Sequence, residues 1–177
     1  MINPSNSENS PLRTMLNTWL EIIAIKWNLK NKDILEIGIG GDEKPSGSYR
    51  YFGEGNNWTT MDINPKWKPD IIGDITNNSI KDNSYDLVIM TQTLEHIWDF
   101  KKAIEELHRI TRKYVLLDCP WMWGFHRDIV REETPTHEWD DYWRISPSAL
   151  YKLLKDIGFK NVIIKFKEYL TLCIAEK

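Results

Sequence analysis

Apolar residues fall along this chain in short solid runs and in longer stretches of helical spacing. The run Asp33-Ile34-Leu35-Glu36-Ile37 has strand length and breaks into the glycine turn Gly38-Ile39-Gly40-Gly41. A run of that kind suits a parallel strand covered on both faces. Comparable runs at 58–61, 70–72, 85–90, 114–117, 162–164 and 170–172 predict six further strands. The last two are joined by so short a link that they must be antiparallel.

Helical spacing appears three times. Leu12, Met15, Leu16, Trp19, Leu20, Ile23 and Trp27 form one stripe behind the start signal Ser10-Pro11. Phe100, Ala103, Ile104, Leu107 and Ile110 form a second, capped by Asp99. Leu150, Leu153, Leu154 and Ile157 form a third, opened by Ser146-Pro147 and closed by Gly158 where a left-handed cap belongs. After the first glycine turn, Pro45, Gly47, Gly53 and Gly55 leave room for only one or two helical turns, around Tyr49 to Phe52. The segment from Trp121 to Trp143 lacks a period and reads as an irregular lid. Strands alternating with helices make this an α/β chain: a mostly parallel seven-stranded sheet with a C-terminal antiparallel pair, flanking helices and an extra N-terminal helix.

Length and charge narrow the picture. At 177 residues the chain reads as one domain over 11–177, preceded by a polar, flexible arm over 1–10. A net charge of -3 argues against a dedicated nucleic-acid binder. No apolar run approaches the roughly 20 residues of a membrane span, and the first ten residues lack the regions of a signal peptide, so a cytoplasmic location is expected. Cys119 and Cys173 are far apart, have no metal-type spacing and read as free thiols, with no metal site expected. Of nine tryptophans, Trp121, Trp123, Trp139 and Trp143 share the lid segment.

The candidate chemistry lies at the strand ends. Gly38 and Gly40 remove two Cβ atoms where the backbone turns and a ligand can approach. Asp62 ends the second strand 24 positions beyond Gly38, where α/β nucleotide folds place an acid for ribose hydroxyls. Asp74 ends the third strand in the same pattern of apolar strand, acid and apolar residue, with Ile63 and Ile75 able to sandwich a flat base.

Leu35-Glu36-Ile37-Gly38-Ile39-Gly40, Met61-Asp62-Ile63, Gly73-Asp74-Ile75, and Tyr85-Asp86-Leu87-Val88 through Leu94-Glu95-His96 resemble, in order and spacing, four motifs of the class I S-adenosylmethionine-dependent methyltransferases. The likeness covers roughly 33–175, and Asp140-Asp141-Tyr142-Trp143-Arg144 is similar to the C-terminal part of small members of that class linked to glycans and secondary metabolites. It implies a Rossmann-like fold and S-adenosylmethionine as methyl donor, with S-adenosylhomocysteine as product. By the resemblance Glu36 helps hold the donor's amino group, and Gly38, Ile39 and Gly40 admit it against bare backbone. Asp62 and Ile63 take the ribose side, Asp74 and Ile75 the adenine, and Thr91 and Gln92 line the path to the methyl. Departures are Asp42 in place of the third glycine, the abridged crossover helix, and Thr111-Arg112-Lys113 where a Pro-Gly-Gly turn often stands.

A hydroxyl or protonated amine acceptor needs a base, and His137, His126 and His96 are the candidates, His137 first because Asp140, Asp141 and Arg144 follow it. Arg144 either holds an anionic group on the acceptor or pairs with Asp140 or Asp141. The tryptophans either stack on a ring or sugar or cover the sheet. The expected acceptor is a small molecule or glycan, methylated on O or N, and the oligomeric state is left open. Rival readings are a nucleic-acid amino-methyltransferase through Asp118-Cys119-Pro120-Trp121, a non-catalytic methyltransferase-like partner or cofactor-binding module, and a nicotinamide-dependent dehydrogenase. The first is disfavoured because its motif belongs after the fourth strand, and the last because Pro45 and Ser46 stand where a helix should open.

Overall fold

The computed structural model describes residues 11–40, 47–122, 140–167 and 169–177. The seven expected strands join one sheet: β1 (Asp33–Ile37), β2 (Asn57–Asp62), β3 (Ile71–Ile72), β4 (Tyr85–Met90), β5 (Thr111–Pro120), β6 (Asn161–Lys167) and β7 (Leu170–Glu176). Their order is β3-β2-β1-β4-β5-β7-β6, with β7 antiparallel to both neighbours and every other pairing parallel. The helices are α1 (Pro11–Trp27), α2 (Tyr49–Phe52), α3 (Phe100–Ile110) and α4 (Pro147–Ile157). The expected fold class is therefore the observed one.

Side chains alternate across the pleat and build two cores. Leu35, Ile37, Val88, Met90, Val115 and Leu117 face α3 and α4, whose Ile104, Leu107, Leu150 and Leu154 are fully buried. Ile34, Leu87, Ile89 and Leu116 face α1 and α2, meeting Leu16, Leu20 and Phe52. Glu36 shares the second face with Ile34, so the first acid of the strand-end series emerges beneath the shortened crossover.

The helix ends follow their sequence signals. Asp99 accepts from Lys102 N at the start of α3, and Ser146 accepts from Ala149 N at the start of α4. Gly158 closes α4 at φ 119°, a left-handed cap. The absent Pro-Gly-Gly turn has a simple counterpart: α3 ends at Ile110 and β5 begins at Thr111, with no loop between them.

Among the described residues, the crossover after β1 contains a helix of 4 residues. Hydrogen bonds from Asn56 compensate for its length. Its Nδ2 donates to Leu29 O at 3.0 Å and Phe52 O at 2.7 Å, and its Oδ1 accepts from Lys32 N at 2.9 Å. One amide thus ties α2 to the chain entering β1. Asn56→Ala should cost about 2–3 kcal/mol, three half-buried hydrogen bonds at their usual net worth. Urea unfolding will read this as a lower midpoint with an unchanged slope.

Candidate active site

The parallel strands β1, β2 and β4 end on one rim, and the backbone there bends around Gly38. This residue sits at φ 75°, and a Cβ added to it would lie 2.1 Å from Thr93 Oγ1. Only glycine fits both the dihedral and the contact. Gly38 N donates to Met61 O at 2.9 Å, which fixes the end of β1 to β2. Thr93 lies against Gly38 and donates to Thr91 O at 2.8 Å, which fixes the turn after β4.

Asp62 stands beside that turn and is 8 % exposed. Its Oδ2 accepts from Gly40 N at 3.2 Å and its Oδ1 from Asn64 N at 2.9 Å. Each carboxylate oxygen has two acceptor positions, so one backbone donor apiece holds the group without exhausting it. Ile63, next along, is 67 % exposed. Glu36 is buried and accepts from Ser48 N at 3.3 Å, which anchors the start of α2. Gly38, Ile39 and Gly40 lie at the surface of the rim, half-buried to exposed.

Asp74 and Ile75 are placed differently from one another. Asp74 is exposed, and its Oδ1 accepts from Thr76 N and Thr76 Oγ1, both at 2.8 Å. Ile75 is buried in the core with Met61 and Leu94, so of the two isoleucines Ile63 alone presents an open face.

Thr91 and Gln92 leave the end of β4. Gln92 adopts φ 48° and is held there by Asp118 on β5, which accepts from Gln92 N at 3.1 Å and from its side-chain amide. Asp118 is fully buried, and that burial pushes its carboxyl up to about 7; the two hydrogen bonds from Gln92 and the charge of Arg13 on α1 oppose the shift. No signal in the strand run marked Asp118 as the partner of Gln92, because the pairing spans 26 residues.

Arg144 forms a two-pronged ion pair with Asp141, at 2.5 and 2.7 Å, with side chains 11 % and 1 % exposed. Of its two readings, the ion pair is the one observed. Around it Trp98, Tyr142, Trp143 and Phe100 make an aromatic group, with Trp98–Tyr142 ring centroids 5.3 Å apart and Phe100–Trp143 centroids 5.0 Å apart. Trp98 is 69 % exposed. His137, His126, Trp123 and Trp139 lie outside the described residues.

An open hollow of about 490 Å³ between α3 and α4 is lined by Lys101, Glu105, Leu153, Asp156 and Ile157, none of them at the strand ends. The strand-end rim carries the glycine turn and the acids at the strand ends, whereas the hollow is bordered by the helix-surface charges of Lys101, Glu105 and Asp156.

The raised carboxyl of Asp118 has a measurable sign. A group whose folded value exceeds its unfolded one stabilises fully below the unfolded value and loses that contribution as pH rises. Relative to Asp118→Asn, the wild type should therefore lose stability progressively between the ordinary 3.8 and about 7. Melting temperatures of both proteins across that range check the difference directly.

Residues 35–117 match the family model for a methyltransferase domain. No curated protein matches the chain. Among solved structures, a SAM-dependent methyltransferase from Archaeoglobus fulgidus is 18% identical with a TM-score of 0.68, over 93% of this chain and 94% of that one. Magnesium protoporphyrin IX methyltransferase from Synechocystis, solved with bound SAM, is 16% identical with a TM-score of 0.66, over 97% and 84%. The CurJ carbon methyltransferase is 16% identical with a TM-score of 0.70, and this chain spans 95% of itself but 55% of that chain. At such identities the structural likeness is one of fold. The sheet order gives this chain the Rossmann-like fold of such methyltransferases, and residues 35–117 are the stretch similar to a methyltransferase domain.

Proposed function

We propose that this protein transfers a methyl group from S-adenosylmethionine to a small-molecule or glycan acceptor, on oxygen or nitrogen. The observation that carries the reading is the pairing of the Gly38 turn with Asp62 across adjacent strand ends. Asp62 keeps acceptor capacity on both oxygens beside a backbone stripped of Cβ, which suits a pair of vicinal hydroxyls. Ile63 offers the open apolar face for the base, and Asp74 remains the candidate partner of its exocyclic amine. Glu36 serves the donor's amino group less directly, since one oxygen already anchors Ser48.

S-adenosylmethionine supplies a methyl group already activated on a sulfonium. The residues of the chain therefore have to align donor and acceptor and keep water out. Gln92 and Thr91, braced by Asp118, would form the wall between the two ligands. The exposed ring of Trp98, backed by Tyr142 and Trp143, supports an acceptor with a flat ring or a sugar face. The free thiols Cys119 and Cys173 support a reducing, cytoplasmic setting. The alternative, a cofactor-binding module without catalysis, draws support from the 4-residue crossover helix.

Thermal shift with S-adenosylhomocysteine tests the reading, because a ligand that binds only the folded state raises the melting temperature. The wild type should shift. Asp62→Asn, which places a donor where the ribose hydroxyls need an acceptor, should weaken affinity by about 10–100-fold while still melting cooperatively without ligand. A wild type unmoved at saturating S-adenosylhomocysteine would refute the proposal.

A further inference from the structure

Gln92 is held in a backbone conformation that its side chain disfavours. It lies just past the end of β4 at φ 48°, next to Thr93, whose side chain packs on Gly38. A non-glycine residue keeps a positive φ only where its surroundings fix it. Asp118 on β5 does the fixing: its Oδ1 accepts from Gln92 N at 3.1 Å and its Oδ2 from Gln92 Nε2. This carboxyl is fully buried, and it has both oxygens committed to one neighbour. An apolar residue at 118 would spare the sheet the burial of an acid. The clasp therefore serves the turn rather than the strand.

It also orients the amide. An ionised carboxylate only accepts, so Nε2 must face Asp118 and the carbonyl oxygen of Gln92 must face away from it. Among the described residues that oxygen makes no hydrogen bond, and unlike the oxygens of Glu95 it is not one of the enclosed, unpartnered atoms. Asp118, by drawing on the amide N–H, strengthens the oxygen as an acceptor. An oriented, polarised carbonyl suits a cationic donor better than a neutral one.

The place of Gln92 in the sheet says which cation. Strand order reverses between β1 and β4, and ligands of open α/β sheets lie in the crevice at such a reversal, outside the strand ends. With its ribose at Asp62 on β2 and its base toward Ile63 and Asp74, an adenosyl ligand sends its amino-acid chain the other way. That path runs past Gly38 toward the turn after β4. Glu36 has one oxygen engaged by Ser48, which leaves the ammonium of that chain in need of a further acceptor. Resting on the methyl-transfer reading above, we propose that Gln92 Oε1 accepts a hydrogen bond from the ammonium of the methyl donor, with Asp118 as the positioning residue that turns the amide to do so.

Protonation of Asp118 inverts the arrangement. One oxygen becomes a hydroxyl donor, the amide turns Oε1 toward it, and the Nε2 hydrogens then face the ligand and repel an ammonium. The groups facing Asp118 are Gln92 and Glu95 after β4, Cys119 beside it on β5, and Arg13 on α1. Burial is the largest influence and pushes the Asp118 carboxyl up to about 7, opposed by the Gln92 bonds and then by Arg13. The accepting form of the amide is therefore filled as pH rises through that value.

Calorimetric binding to the full chain tests this with two ligands and needs no methyl acceptor. S-adenosylhomocysteine carries the ammonium; 5′-methylthioadenosine has the same nucleoside and sulfur without the amino-acid end. The ratio of their affinities should rise about tenfold in favour of S-adenosylhomocysteine between about pH 5.5 and about 8, the worth of one hydrogen bond to a charged group. Gln92→Met, which has no acceptor oxygen, should lower the ratio at the higher pH by a similar factor and flatten its pH dependence. Asp118→Asn should flatten it too, which a role confined to holding the strand would not do. A flat ratio in the wild type, or one that still rises in either variant, overturns the proposal, and the wild-type profile decides alone where a variant fails to fold. If the wild type binds neither ligand, the methyl-transfer reading falls and takes the proposal with it; binding of S-adenosylhomocysteine with a flat ratio removes the proposal alone.

Discussion

Everything at the strand ends hangs on how closely two turns meet at Gly38. The residue has a left-handed backbone, and the side chain of Thr93 occupies the space a Cβ would take. That contact brings the turn after β4 against the turn after β1, while the bond from Gly38 N to Met61 O draws in β2. Three strand ends then share one point. Asp62 reaches back to Gly40, Thr93 tightens the turn of Thr91, and Gln92 is pressed into a positive φ that Asp118 has to hold. A side chain at position 38 would have to push Thr93 away and loosen all of these together.

The rim is also where the chain gives up stability. Along the sheet, burial is almost wholly apolar, and the two cores meet their helices with fully buried leucine and isoleucine. At the ends of β4 and β5, by contrast, two carboxyls are fully buried within electrostatic reach of each other. Asp118 is answered by Gln92, and Glu95 is not. Burial raises the proton affinity of both, and the charge of Asp118 raises that of Glu95 further, so the pair weakens the fold as pH rises, a cost that a purely structural sheet would have no reason to carry. The buried Asp141–Arg144 pair adds a net-neutral ion pair to the same wall.

Much of this was legible beforehand, because it is written in local pattern. Strand runs, helix stripes, the Asp99 and Ser146 caps, the Gly158 turn and the curtailed helix at Tyr49–Phe52 each depend on residues close in sequence. The acids Glu36, Asp62 and Asp74 could be placed at strand ends for the same reason. What neighbours in space decide could not be read. Asp62 and Asp74 follow the same sequence pattern, yet one is clasped by Gly40 and the other bends back on Thr76. Ile63 and Ile75 look equivalent, and the core takes only Ile75. Glu95 sits in a Leu-Glu-His string that signals a turn after β4, but its lack of partners is a property of the packed interior. The acid flanked by Leu94 in an apolar neighbourhood was the available hint.

The central claim is that one ligand spans the ends of β1 and β2, gripped at the Gly38 turn and by Asp62. Amide ¹H–¹⁵N spectra recorded during titration with S-adenosylhomocysteine test it most directly. The account predicts that the largest changes fall on Gly38, Gly40, Asp62 and Ile63, saturating together as a single binding event. Changes gathered instead around Lys101, Glu105 and Leu153, in the hollow between α3 and α4, would contradict it.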